Sequence, residues 1–408
     1  MTPAALLPPD RKRPIAFAYY LAILLEGSML ASIGPTLDAL EAQTGSTTEQ
    51  ISILFTANAL GYITGSLLAG RLIGRLSGKA VVAAALAVMA AAAALVPLLS
   101  TLWMLVAAFA VIGLPLGLID VGTNTLLAWL FPRGLAPWMN ALHFAFGVGA
   151  FLSPLLVDRF AVAAGDAAAA YWLLAGLMIP AALWLLTLPD PEAPAGQGSG
   201  TGGRTIRGHL LFMGLLAAFF FLHVGAELGF GGWIFSYADD LQIGGETTAR
   251  VLNSVFWGGL VVGRLIAIPV SMRLAPGTMI TIDLVGAGLG LALIGLVPDW
   301  SPALWIGTIA FGMSLASVFA SGVNYTGERI PVTGPVMSVL VVGGGLGSMT
   351  VPWVVGQLFD RRGPQVMLLV VGAAVAAALA LFLVIRAVAG RPGRTTGPRG
   401  RLPFRPGR

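Results

Sequence analysis

Among the side chains able to carry charge or a proton within apolar runs long enough to cross a bilayer, Glu26, Asp120, His143, His223, Glu227 and Arg264 stand out. A charge at mid-bilayer costs about 2.5–3.5 kcal/mol on insertion scales, so such a group normally faces a water-filled cavity or a partner. This placement suits a carrier, because a carboxylate that is tolerable only beside a solute, cation or proton can couple their movements. Glu26, near the centre of the first run, fits that role. Asp120 and Asn124 lie one helical turn apart and share a face, while Asn140 and His143 start the next run at a similar depth. Together these four offer hydrogen bonds to hydroxyls or ligands to a cation. Glu227 has His223 one turn before it. Its nearest counter-charge is Arg264, on the order of 10 Å away along the membrane normal at the helical rise, so a breakable latch, a static brace and a water-bridged pair all stay open. Bracing a neighbouring helix is the structural alternative for each ionisable group.

Trp233 and Trp257 could stack against the apolar face of a sugar ring, although aromatics at run ends more commonly form the interfacial belt. Gly225, Gly229, Gly231 and Gly232 soften the seventh run, and a bend there would let it move as a gate.

The elements that position these groups are set by composition. Only 10% of the 408 residues are charged and 57% are apolar, whereas about a quarter of residues are charged in soluble domains, so the chain reads as a polytopic membrane protein. Crossing about 30 Å of hydrocarbon takes about 20 residues. Twelve runs qualify: 14–37, 50–72, 80–99, 102–130, 139–157, 168–188, 208–236, 251–271, 278–297, 302–327, 334–358 and 364–387. All are expected to be helices, since backbone in lipid must satisfy its own hydrogen bonds. With both termini in the cytoplasm, 18 of the 23 Lys and Arg fall inside and four outside, Arg159, Arg250, Arg361 and Arg362, leaving Arg264 within a span. The positive-inside rule favours that orientation in a cell's inner (plasma) membrane.

The stretch PDPEAPAGQGSGTGGRTIRG reads as a flexible linker and divides the chain. The expected organisation is a first six-helix bundle (1–188), a cytoplasmic linker (189–207), a second six-helix bundle (208–388) and a basic tail (389–408) resting in solvent or on anionic lipid. The linker's GSGTGG lacks the Gly-Lys-Ser/Thr ending of a phosphate loop. Positive residues form short clusters between runs rather than one basic face, which argues against nucleic acid. With no cysteine there is neither a disulfide framework nor a thiolate metal site. No metal triad or nucleophile elbow points to an enzyme, and no cofactor is expected beyond a coupling proton or sodium ion.

The halves resemble one another. FGVGAFLSP carries Gly147, Gly149 and Pro154, and GGLGSMTVP carries Gly345, Gly347 and Pro352, 198 positions later. Gly70-Arg71-Leu72 recurs as Gly263-Arg264-Leu265, and Asn124 in span four has a counterpart in Asn324 of span ten. Two bundles in the same orientation with a site between them is a recognised carrier plan.

At this level the chain resembles the major facilitator superfamily over essentially its whole length. The loop from Gly70 to Lys79, GRLIGRLSGK, looks like the superfamily's Gly-x-Leu-x-Asp-Arg-x-Gly-x-Lys/Arg signature, with Gly74 in place of Asp and Ser77 in place of Gly. The resemblance implies a cytoplasmic gate built on Gly70, Gly74, Arg75 and Lys79 and simplified by the missing acid. Within the superfamily the chain is most similar to the branch of fucose permease and sodium-dependent glucose carriers, through VGAELGFGGWIFSYA, FWGGLVVGRL and the Asp120/Asn124 pair followed by WMNALHFAFGVGAFLSP. Fucose permease uses acids in its first and fourth spans, and Glu26 and Asp120 occupy those spans here. The expectation is a monomeric secondary transporter moving a small polar solute, such as a sugar, by alternating access with a proton or sodium. The alternatives are a proton-coupled exporter of hydrophobic drugs or metabolites and a carrier of lipid-like molecules.

Overall fold

The computed structural model describes residues 9–73, 75–131, 136–191, 209–297, 300–330 and 334–388. The linker beyond residue 191, Gly74 and the basic tail lie outside them, as does the side chain of Asn140. Twelve helices long and apolar enough to cross a membrane follow one another, as expected from the apolar runs. The first half holds α1 (Pro9–Ala31), α2 (Ile33–Thr44), α3 (Thr48–Ile51), α4 (Ile53–Leu72), α5 (Gly78–Leu95), α6 (Leu102–Leu130), α7 (Ala136–Ala164) and α8 (Ala170–Thr187). The second holds α9 (Leu210–Asp240), α10 (Gly245–Ser271), α11 (Pro276–Leu296), α12 (Ser301–Leu315), α13 (Val318–Gly327), α14 (Gly334–Arg362) and α15 (Gln365–Val388). The result is an all-α polytopic protein of two six-helix bundles, in which α3–α4 and α12–α13 each make one span.

Local chemistry explains the breaks. Pro35 has no N–H to bond the carbonyl of Ala31, so the first helix stops there. Ser32 Oγ donates instead to Met29 O at 2.8 Å, and α2 resumes beyond it. Thr47 and Gln50 form a reciprocal capping box at the start of α3, at 3.2 and 3.0 Å. No break opens at the glycines of the seventh span: α9 runs without interruption from Leu210 to Asp240. Its glycines serve close packing instead, since a Cβ at Gly229 would meet Val351 at 2.9 Å and one at Gly232 would meet Phe55 at 2.8 Å.

The duplicated Gly-x-Gly motif acquires a mechanical meaning. In the first half a Cβ on Gly149 would strike the backbone oxygen of Leu24 on α1, and in the second a Cβ on Gly347 would strike that of Phe221 on α9. The preceding glycines face the other half: Gly147 lies against Val261 and Gly345 against Ile63. One glycine thus lets two helices of a bundle touch, and the other lets the bundles touch each other. The other two recurrences do not hold in space. Gly70 has open space around it whereas Gly263 is pressed against Met313, and Asn324 is exposed where Asn124 holds an acid.

Because successive spans alternate in direction, charge sorts by end. The end where α1 starts carries Lys12, Arg13, Arg71, Arg75, Lys79, Arg273, Arg329 and Arg386, against Asp190 and Glu328. Among the described residues the opposite end carries nine acids, including Asp38, Glu49, Asp158, Asp239 and Glu246, against four arginines. We call these the basic and acidic ends.

Candidate functional site

Between the halves, at mid-depth, lies a cavity of about 250 Å³. That is just below the usual ~300–1,000 Å³ of small-molecule sites, a scale suited to a small solute. From the first half it is lined by Glu26 on α1, Asn58 and Tyr62 on α4, Asp120 on α6 and His143 on α7. The second half adds Glu227 on α9, Trp257 and Arg264 on α10, Phe319 on α13 and Ser348 on α14. Apolar walls such as Leu30, Phe55, Phe146 and Leu228 separate these polar groups.

Asp120 is the best-held group. Tyr62 Oη donates to its Oδ2 at 2.5 Å, and Asn124 Nδ2 donates to its Oδ1 at 3.0 Å and to its backbone oxygen at 2.8 Å. Two neutral donors therefore fix the carboxyl group, which also lines the cavity. Glu26 is only 3% exposed, and its buried Oε2 has no hydrogen-bond partner. Asn58 Nδ2 and Trp257 Nε1 are likewise buried donors without an acceptor. Buried polar groups left unpaired are costly and mark places where a bound molecule or water completes the bonding.

The second half is arranged differently. His223 is fully buried beside the Phe219 ring, with Nε2 3.7 Å from Glu227 Oε2. Arg264 does not pair with Glu227 in this state: its Nη1 donates across the halves to His143 O at 3.3 Å, and its guanidinium lies 6.0 Å from the Phe146 ring centre. The salt link considered from sequence is therefore replaced by a backbone contact that joins α10 to α7.

Several expected site residues fall elsewhere. Trp233 is fully buried outside the cavity, donating Nε1 to Pro352 O at 2.9 Å and packing between Phe359 and Phe55. It plugs the acidic side, because its position near the end of α9 places it beyond the cavity rather than beside it. Asn324 is exposed on α13 and does not line the cavity. Gly70 and Arg75 are exposed at the basic end, and among the described residues Arg75 makes no ion pair. Lys79 donates to the carbonyls of Leu186, at 3.0 Å, and Leu188, which ties α5 to the end of α8 within one half.

Sequence reasoning missed Asn58, Tyr62 and Ser348 in the cavity, and Asp283 inside α11. Asn58 and Tyr62 were detectable as an i, i+4 polar pair in the second run.

Twelve spans in two bundles around a central cavity, whose largely apolar wall carries a few ionisable side chains, define a carrier of small solutes. The Major Facilitator Superfamily profile matches residues 19–352. The chain belongs to that superfamily. It is 30% identical to sodium-dependent glucose transporter 1A of Mus musculus over 91% of this chain and 96% of that protein. To human sodium-dependent glucose transporter 1 it is 29% identical, over 90% of this chain and 78% of that protein. In shape it is similar to a solved structure of the nucleoside transporter NupG, at a TM-score of 0.72 and 15% identity, covering 93% of this chain and 98% of that one. The protein is thus a multi-pass membrane transporter whose relatives carry small solutes.

Proposed function

We propose that this protein is a secondary transporter of a small hydroxylated solute, of the sugar class, working by alternating access coupled to a proton or sodium ion. The observation that carries the reading is Asp120, held open to the cavity by Tyr62 and Asn124 beside the unpartnered Glu26, Asn58 and Trp257. A ring with several hydroxyls supplies donors to the carboxylates and acceptors to the amide and indole, while its apolar face meets Leu30, Phe146 and Leu228. Glucose-transporter relatives at about 30% identity support the substrate class. Glu26 and Asp120 take the coupling role, and Glu227 with His223 and Arg264 completes the site from the second half. The basic end faces the cytoplasm in a plasma membrane with both termini on that side, as the positive-inside rule favours, and the working unit is a monomer.

The test is uptake of labelled hexoses into proteoliposomes under an imposed sodium or proton gradient. Asp120→Asn and Glu26→Gln are each expected to reduce gradient-driven uptake by about 100-fold, equivalent to losing about two charge-assisted contacts. Unchanged driven uptake in both variants would overturn the assignment. Uptake of lipophilic compounds with no hexose uptake would move the protein to the exporter class.

A further inference from the structure

Asp283 is an intramembrane carboxylate that the central cavity does not use. It lies seven residues into α11, about 10 Å from the start of that helix at the helical rise. Among the described residues it makes no ion pair; nearby Arg386 donates to Thr281 Oγ1 at 3.1 Å instead. Its partner is Ser317, whose Oγ donates to Oδ2. Ser317 stands in the tenth span where α12 ends at Leu315 and α13 begins at Val318. The break is thus bound to the neighbouring helix by a charge-assisted hydrogen bond. Close approach supports it one turn away, where a Cβ on Gly286 of α11 would sit 2.6 Å from Ser314 Oγ. Two residues beyond Ser317 is Phe319, which lines the cavity and meets the Phe220 ring edge-on at 5.0 Å.

We propose that Asp283 is a positioning residue: by holding Ser317 at the helix break, it sets the direction of α13 and keeps Phe319 at the wall of the solute cavity. The carboxylate reaches no cavity atom itself and acts through the hydroxyl. Releasing Ser317 lets α13 realign with α12 and carries Phe319 away from the cavity. The proposal does not depend on the substrate class.

The chain has no cysteine, so one introduced thiol reports without background. In the full-length protein a cysteine at Val323, one turn beyond Phe319, is labelled with a membrane-impermeant maleimide. Asp283→Ala and Ser317→Ala are each expected to shift its labelling rate by about fivefold or more, with the double variant shifting it no further than the larger single. Ser317→Thr, which retains the hydroxyl, stays within about twofold of the parent. In transport the two alanine variants raise the KM for the carried solute severalfold at retained maximal rate, which general loosening of the fold would not do. Single variants that leave labelling within twofold, or effects that multiply in the double, overturn the proposal. If Asp283→Ala fails to fold, the contrast between Ser317→Ala and Ser317→Thr decides alone.

Discussion

The two ends of the interface between the halves are built on different principles. At the acidic end the halves are bonded directly. Ser236 donates to Asp38 at 3.1 Å, Thr247 to Asp158 at 2.8 Å, Gln357 to Glu49 O at 2.8 Å and Arg361 to Glu49 at 2.8 Å. Beneath this polar layer, Phe55 from one half packs on Trp233 of the other, and Gly34 passes so near Gly232 that a Cβ would lie 2.8 Å from its carbonyl oxygen. Toward the basic end, Lys79 bonds within its own half and Arg75 makes no ion pair among the described residues. The structure is therefore a state closed at the acidic end. Closure there combines interlocked backbone and aromatic packing with charge, and alternating access has to undo both together.

The largest effect on this contrast is expected at Arg250. It is 4% exposed, reaches Asp158 across the interface at 3.5 Å, pairs with Glu246 on its own helix and lies over the Phe235 ring. Breaking a buried pair costs about 3–5 kcal/mol because the remaining charge is uncompensated. Asp158 retains some solvent, so Arg250→Met is expected to cost about 2–3 kcal/mol of closure, or roughly 30- to 150-fold in the closed-to-open ratio. A single cysteine at Ser348, in the cavity wall, should then react correspondingly faster with an impermeant reagent added at the acidic side. An unchanged rate would mean that packing alone holds this end shut.

A packing test separates the two contributions. Gly356 on α14 lies directly against Ser52 of the first half, and an added Cβ would overlap the Ser52 side chain close to its backbone. Overpacking of this kind costs about 1–3 kcal/mol, so Gly356→Ala should raise labelling at 348 from the acidic side about tenfold. Gly345→Ala, nearer the basic end, meets Ile63 Cγ1 at 2.7 Å and Cδ1 at 3.0 Å, away from the contacts that close the acidic end, and should change the rate by less than about twofold. Equal responses would erase the distinction between the ends.

These contacts also mark what the sequence could and could not reveal. Apolar length alone located all twelve spans, and the cost of burying charge singled out Glu26, Asp120, His143, Glu227 and Arg264, all of which line the cavity. Asn58 and Tyr62 escaped notice because an amide and a phenol disturb an apolar run much less than a charge does. Trp233 was misplaced because a tryptophan near a span end has the same local sequence whether it anchors to lipid, lines a cavity or plugs an interface. The cross-half bonds join residues as far apart as Glu49 and Arg361, and no local pattern encodes such a pairing. Pro35 lies inside the first apolar run, 14–37, which length alone reads as unbroken, although the hydrogen bond it cannot make ends the first helix before α2.

A smaller effect should come from pH. Burial pushes the Asp38 carboxyl up to about 6; Ser236's hydrogen bond opposes this, the Asp239 and Glu246 charges add to it, and Arg250 again opposes it. Burial likewise pushes Glu41 to about 6, against the hydrogen bond from Thr48 and with further upward pushes from Asp38 and Asp360. A carboxyl raised in the closed state contributes stability that is full below its ordinary value near 4 and lost as pH rises through about 6. Closure should therefore tighten as pH falls from 7 toward 4. Asp38 is open to the cleft it shares with Asp239, so solvent screening reduces the effect. The melting temperature of the native protein is expected to gain about 1 °C more than that of Asp38→Asn/Glu41→Gln between pH 7 and pH 5. A gain of equal size in the double variant would assign the pH response to other groups.

The smallest effect on closure is expected at Lys79, although its loop carries the superfamily's charged signature. Its ammonium bonds the carbonyls of Leu186 and Leu188, and its backbone N–H donates to Asp190 at 3.1 Å. A cation at a helix C-terminus contributes about 0.3–1 kcal/mol. Leu186 and Leu188 close the first half and Asp190 follows two residues later, so the bonds are the same whichever end of the carrier is open. Lys79→Ala should thus lower the melting temperature by about 1–3 °C while leaving cysteine labelling at 348 unchanged from either side. The sequence supports that expectation, since Gly74 stands where the signature's acid would accept a cross-half partner. If Lys79→Ala instead shifted labelling as Arg250→Met does, the basic end would also close on charge. The asymmetry between the ends would then belong to this one state rather than to the transporter.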